Sequence, residues 1–160
     1  MISSDYRDVL AALRKDAIDG AELLPTYRER LARIEEIVRR ERLVSLPERP
    51  AVIRLGTPAE SAAQPAPHLN PPRLIGNTGE PAEFVLPLEN PNAAPGAKMD
   101  DFTHDSVTWT LTAHDARSGH ELQFATMLEG GVSIARAVFA FNSANVEGWG
   151  LYAEALVKRY

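Results

Sequence analysis

Eleven of the chain's twelve prolines lie between Pro47 and Pro95, so almost a third of its 160 residues cannot be ordinary helix. The flanks, about 46 residues in front and about 65 behind, suffice for one domain with one modest core. The proline stretch is not read as a flexible linker, because it holds two apolar, β-prone clusters bounded by turn residues, Ala51–Leu55 and Phe84–Leu88. They predict an ordered excursion over residues 44–99 that carries a two-stranded ribbon and packs over the helices. Pro87 places the second strand at an edge or ends it early. A long ordered excursion is usually functional, and here it would roof a cleft. His68 either hangs over that cleft or sits exposed in a loop, the loop position being favoured.

Residues 4–43 predict a helical pair. In the first helix Tyr6, Val9, Leu10, Leu13 and Ala17 recur at helical spacing, with Ser3 or Ser4 as cap and Gly20 as stop. In the second, Pro25 suits the first turn and Tyr27, Leu31, Ile34 and Val38 form an apolar stripe. The opposite face, rich in arginine (Arg28, Arg30, Arg33, Arg39, Arg40), reads as a solvated surface paired with Glu29, Glu35 and Glu36 rather than an anion site.

Residues 100–160 lack proline and predict four helices. The first is capped by Asp100 or Asp101 and runs through Val107, Leu111 and His114 to a break at Ser118–Gly119. The second covers about 120–129 and ends at Gly130–Gly131; the third runs from Ser133 to about Ser143; the fourth starts near Asn145. The third is apolar nearly all round apart from Arg136, so burial under further chain or a partner subunit is expected, and with it a homodimer. Trp109 and Trp149 are expected in the core. The fold expected is one mainly α domain over residues 1–160, a helical core with a proline-rich excursion.

Composition removes several functions. Without cysteine there are no disulfides, no thiolate metal sites and no cysteine nucleophile. A net charge of −5 without a basic run argues against nucleic acid. No apolar run approaches the ~20 residues needed to span a bilayer, and the first residues lack a signal peptide's apolar stretch. A cytoplasmic protein without a membrane partner is expected. Any metal site must use carboxylates and the four histidines.

His114 and His120 are six residues apart, about 240° and about 9 Å on an unbroken helix, so they cannot share an ion there. A break at Ser118–Gly119 would let one imidazole end a helix and the other start the next. Capping or core histidines remain the alternative at this point. Three further features favour a metal. Asp115 follows the first histidine, where metallohydrolases keep a water-activating carboxylate. Glu147, on a later helix, can fold back as a third ligand, giving the two-histidine, one-carboxylate set of a catalytic zinc site. It also lies in an apolar, glycine-rich stretch where a carboxylate needs a partner. Glu121 is a reserve base, or else an early-helix carboxylate favoured by the dipole. Tyr152 steadies an oxyanion or is a packed tyrosine. Glu154, seven residues past Glu147, is too distant to ligate and reads as an acceptor for a ligand histidine. His104 lies about 15 Å up the helix from His114 and is no ligand.

The segments HDARSGHELQ (114–123) and VEGWGLYAE (146–154) resemble the two hallmarks of the bacterial family catalogued as domain of unknown function 885, His-Glu-x-x-Pro-Gly-His-x-Leu-Gln and Val-Glu-Gly-Trp-x-Leu-Tyr-Ala-Glu. The resemblance extends from the second helix to the C-terminus. It implies a gluzincin-like, mostly helical metallohydrolase core with His114, His120 and Glu147 as zinc ligands, and further helices beyond these residues. This chain departs from the pattern with Asp115 for Glu and Ser118 for Pro. The function expected is a Zn²⁺-dependent hydrolase in which Asp115 takes the proton of a metal-activated water, acting on peptide, ester or phosphoester-type substrates. The alternatives are a metal-binding remnant without turnover and a non-catalytic helical interaction module.

Overall fold

A computed structural model describes residues 5–87, 102–139 and 142–160. Its first two helices begin where aspartates capture free backbone N–H groups. Asp5 accepts from Arg7 N and starts α1 (Tyr6–Leu13), which tails into a 3-10 turn at Arg14–Asp16. Asp19 accepts from Ala21 N at 2.8 Å and starts α2 (Gly20–Arg40). Gly20 therefore opens the second helix instead of stopping the first, because the Asp19 carboxylate fixes the start one residue ahead of it. Pro25 consequently falls in the second turn. It is exposed, so the Ala21 carbonyl deprived of its partner can reach water. Ser3 and Ser4 lie outside the described residues. The apolar stripe of α1 stays uncovered, with Tyr6 67% exposed.

The proline-rich segment is a three-stranded sheet in the order β1-β3-β2 rather than a two-stranded ribbon. Strand β1 (Val52–Leu55) pairs in parallel with β3 (Glu83–Leu86), register Ile53 with Phe84. A parallel pair requires a crossover. Residues 56–82 supply it, through helix α3 (Pro58–Ala63) and strand β2 (His68–Asn70), which pairs antiparallel on the other side of β3. A Thr57–Glu60 capping box starts α3, and Arg54 ties Glu60 to Glu83 across the sheet. β3 is central and stops one residue before Pro87, which could not donate to a ladder. Leu88, the last residue of the expected strand, lies outside the described residues.

One core joins sheet to helix. Ile53, Phe84 and Leu86 pack with Leu23 and Tyr27 of α2, Phe102 and Ala116. The Tyr27 ring meets Phe84 edge-on at 5.7 Å and its hydroxyl donates to Phe102 O at 2.9 Å, so its polar end is satisfied inside. A second core, Ile34, Val38 and Ala113 with Val157, holds α2, α4 (Asp105–Asp115) and α7 (Ser143–Val157) together. Between α4 and α7 in the chain come α5 (His120–Gly130) and α6 (Ile134–Phe139). The expected caps Asp100 and Asp101 lie outside the described residues; the observed cap of α4 is His104.

Two expectations of burial are corrected. Trp109 is not a core residue: it is 37% exposed, with the Arg30 guanidinium 4.5 Å from its ring centre. No described residue of α6 is buried, and Phe139 is 83% exposed. An all-round apolar pattern states what a helix needs, and the described residues bring nothing to cover it. Trp149 is partly buried and donates to Gly119 O at 2.9 Å. The α2 arginines pair as expected, Arg33 with Glu36 and Arg39 with Glu35. Among the described residues no helix is long and apolar enough to cross a membrane.

Candidate metal centre

The site begins with a helix that cannot continue. After Asp115 the chain turns through Ala116–Gly119, with Ser118 at φ +89° and Gly119 N bonded to Ala116 O at 3.0 Å. The turn is so tight that a Cβ on residue 119 would lie 1.7 Å from the carbonyl oxygen of His114. Only glycine fits. Ser118 Oγ donates to Ala113 O, and Arg117 is buried against Glu35 and Glu121. The turn places His114 in the last turn of α4 and His120 at the first position of α5, their rings 4.6 Å apart and nearly perpendicular.

Helix α7 brings the third group. Glu147 Oε2 lies 3.2 Å from His114 Nε2 and 3.7 Å from His120 Nε2, and the three donor atoms fall within 4.8 Å of one another. Ligand bonds of ~2.0–2.1 Å at tetrahedral angles put donor atoms about 3.3 Å apart, so this spacing suits zinc. The other nitrogen of His114, Nδ1, faces Glu154 Oε1 at 2.6 Å. With the Nδ1 proton donated there, the Nε2 lone pair turns toward Glu147. Gly150, between the two glutamates on that face of α7, leaves room for the ring: a Cβ there would approach the imidazole to 2.6 Å. Glu147, Gly150 and Glu154 stand at i, i+3 and i+7, one helical stripe.

The charges are coupled. Burial disfavours a proton on His114, but Glu154, Asp115 and Glu147 together outweigh it and hold its pKa above the ordinary value. His120 is pushed down by burial and by the neighbouring His114 charge, against Glu147. Without metal a proton is thus favoured on His114 over His120. Asp115, 7% exposed, is raised to about 7, chiefly by burial, with Glu147 and Glu154 adding to the rise and His114 opposing it.

These groups line a cleft of about 490 Å³ whose far wall is the proline-rich segment, with Pro67, His68 and Pro71. His68 therefore belongs to the cleft wall, on β2, rather than to an exposed loop; its Nδ1 lies 2.9 Å from Ala66 O, which fixes its tautomer. No β-prone run marks His68–Asn70 in the sequence, where prolines stand on both sides; pairing with β3 makes it a strand. Two sequence candidates are not brought to the cleft. Glu121 follows His120 by one residue, about 100° around the helix, and turns inward to Arg117 at 3.0 Å, with burial raising its pKa to about 7. Tyr152 is neither packed in the core nor aimed at the cluster: it is 55% exposed, its ring against Trp149. His104 is buried and apart, its Nδ1 near Ser106 Oγ.

Glu154→Gln is expected to weaken zinc binding about tenfold to a hundredfold, the usual cost of losing a carboxylate behind a ligand histidine, with the thermal unfolding of the metal-free protein little changed. Competition titration against a chromophoric chelator measures it; unchanged affinity would mean that Glu154 does not orient the ligand.

The profile of the family described as "Bacterial protein of unknown function (DUF885)" matches residues 1–160. No curated protein matches. Two solved structures share the fold. The "putative lipoprotein from Colwellia psychrerythraea" superposes with TM-score 0.72 at 18% identity, over 96% of this chain and 25% of that one. A "putative lipoprotein of unknown function from Shewanella oneidensis" gives TM-score 0.75 at 19% identity, over 98% of this chain and 28% of that one. The chain therefore spans about a quarter of the length of the solved structures it matches.

Proposed function

The chain belongs to the bacterial DUF885 family, and from its three-helix donor cluster we propose that it is a zinc-dependent hydrolase of peptide, ester or phosphoester-type substrates, related in design to gluzincin metallopeptidases. The observation that carries the reading is the convergence of His114 Nε2, His120 Nε2 and Glu147 Oε2, with His114 held in the ligating tautomer by Glu154. Two lone-pair acceptors 3.2 Å apart, as in His114 and Glu147, repel unless a proton or a metal cation lies between them. The donor set fits zinc, with three protein ligands and one open position.

His114, His120 and Glu147 would hold zinc, which would lower the pKa of a water toward ~7 and polarise a carbonyl or phosphoryl oxygen. Asp115 accepts the water's proton at its carboxylate, and the Pro67–Pro71 wall confines the substrate over the cluster. A cytoplasmic setting and a homodimer belong to the same proposal. The lipoprotein names of the two similar structures point to a different compartment, and fractionation of the producing cells decides.

Purified protein is expected to bind one Zn²⁺, more weakly as the pH falls, since the ion competes with protons for the ligand histidines. Hydrolysis of activated esters and peptides should vanish with chelator, return with Zn²⁺ and be absent in His120→Ala. Asp115→Ala should lower the rate at unchanged metal content, by the about 100-fold typical of a lost general base. Zinc bound without turnover would leave a metal-binding remnant. That outcome has a physical basis, since Asp115 is one methylene shorter than glutamate and a ~1 Å misplacement can cost ~100-fold. Asp115→Glu should then raise the rate. A protein that binds no metal would be a helical interaction module.

A further inference from the structure

Beside the metal cleft lies a second cavity of about 240 Å³ among α5, α6 and α7. Phe124 and Val146 line both spaces, and Val146 immediately precedes Glu147. A group held over the cluster would therefore have its neighbouring substituent at this second opening. Its lining includes apolar Leu74, Met127 and Val132. An apolar cavity of about 150 Å³ already accepts benzene, so this one has room for a leucine or phenylalanine side chain.

Two polar groups of the cavity, a guanidinium and an amide oxygen, have no counter-group among the described residues. Arg136 of α6 is the single charged residue in its lining, and among the described residues its guanidinium makes no ion pair. Its planar fork matches a carboxylate. Gln123 gives its amide N–H to Asn145 Oδ1 at 3.2 Å, while its buried Oε1 has no donor among the described residues. An apolar pocket, a cation and an acceptor, the last two without a counter-group among the described residues, match what the C-terminal residue of a peptide presents: side chain, α-carboxylate and amide N–H.

We propose that this cavity is the subsite for the leaving residue of the substrate, and that the substrate class is peptides ending in an apolar residue with a free α-carboxylate, paired by Arg136. The inference rests on the hydrolase reading above. In the reaction, water adds across the last peptide bond: the acyl carbon gains hydroxide, the C–N bond breaks, and the amine leaves with the proton taken up by Asp115.

The test uses the full zinc-loaded chain and two readouts. By calorimetry, N-acetyl-leucine should bind about tenfold or more tightly than N-acetyl-leucinamide, the value of a charge-assisted carboxylate pair. Arg136→Gln should erase that difference and Arg136→Lys restore part of it. Met127→Trp, or Val132→Phe should the first not fold, should weaken N-acetyl-leucine at unchanged zinc content. Equal binding of acid and amide, or indifference to Arg136→Gln (a carboxylate captured by the metal), overturns the subsite. In the second readout, N-acetyl-glycyl-leucine should be hydrolysed faster than its C-terminal amide. Binding with the predicted Arg136 dependence but no hydrolysis supports the subsite and removes the hydrolase reading. Hydrolysis of acid and amide at equal rates removes the subsite and leaves that reading standing.

Discussion

Gly119→Ala is expected to destabilise the protein by about 3–5 kcal/mol and to abolish stoichiometric zinc binding. The added Cβ would lie 1.7 Å from His114 O and 2.5 Å from Ala113 O, both backbone atoms of the helix just completed. No side-chain rotation relieves that. Either the last turn of α4 unwinds, carrying His114 away, or α5 swings out with His120. Native stabilities of about 5–15 kcal/mol leave the variant marginal. Urea unfolding with a zinc titration on the same sample measures both losses, and a wild-type midpoint would refute the turn as described. The neighbouring residue behaves oppositely. Ser118 holds φ +89°, so Ser118→Gly relaxes strain of about 1 kcal/mol, partly offset by the lost bond to Ala113 O. Ser118→Pro, the residue at this place in the motif that the segment resembles, should destabilise, because proline is fixed near φ −65° and this turn is not.

Gly150→Ala should give the reverse signature: zinc affinity lowered about 100-fold in a protein that remains folded. A methyl at residue 150 would lie 2.6–2.9 Å from three atoms of the His114 ring. The ring cannot simply retreat, since Nδ1 is tied to Glu154 at 2.6 Å and the His120 ring stands on another side. In the helix itself alanine is better than glycine by about 1 kcal/mol, which offsets part of the crowding. Metal lost with the fold kept separates this variant from Gly119→Ala. Unchanged affinity would show that His114 does not occupy the described position.

The site was more legible than the sheet. Helical periodicity alone forbids a shared ion for His114 and His120, and the Ser118–Gly119 turn signal removes the prohibition. The seven-residue interval from Glu147 to Glu154 correctly separates a residue facing the cluster from one standing behind a histidine. Both inferences use distances of less than two helical turns, where backbone geometry is fixed. The parallel pairing of Val52–Leu55 with Glu83–Leu86 has no such local mark, because it depends on what residues 56–82 do in three dimensions. Glu121 shows the same limit at short range: adjacency to His120 suggested the cleft, while a buried arginine on the inner side drew it away. The apolar stripe of α1 and the all-round apolar pattern of α6 are both legible in the sequence. Whether a stripe is covered depends on its neighbours, and no pattern within the stripe carries that information.

The donors of the cluster belong to residues 114, 120 and 147, two from one helical hairpin and one from a helix further along the chain. The first two can come together as soon as the local turn forms. The third arrives only when α7 docks, closing a loop of about 27 residues whose entropy resists closure. An ion coordinated there acts as a clasp on that loop, so its grip reports the docking of α7 rather than the integrity of the hairpin. Conditions that loosen α7 should discharge the ion while α4 and α5 still hold together. Metal release would then precede the main unfolding transition, making the bound ion an early gauge of where this fold comes apart.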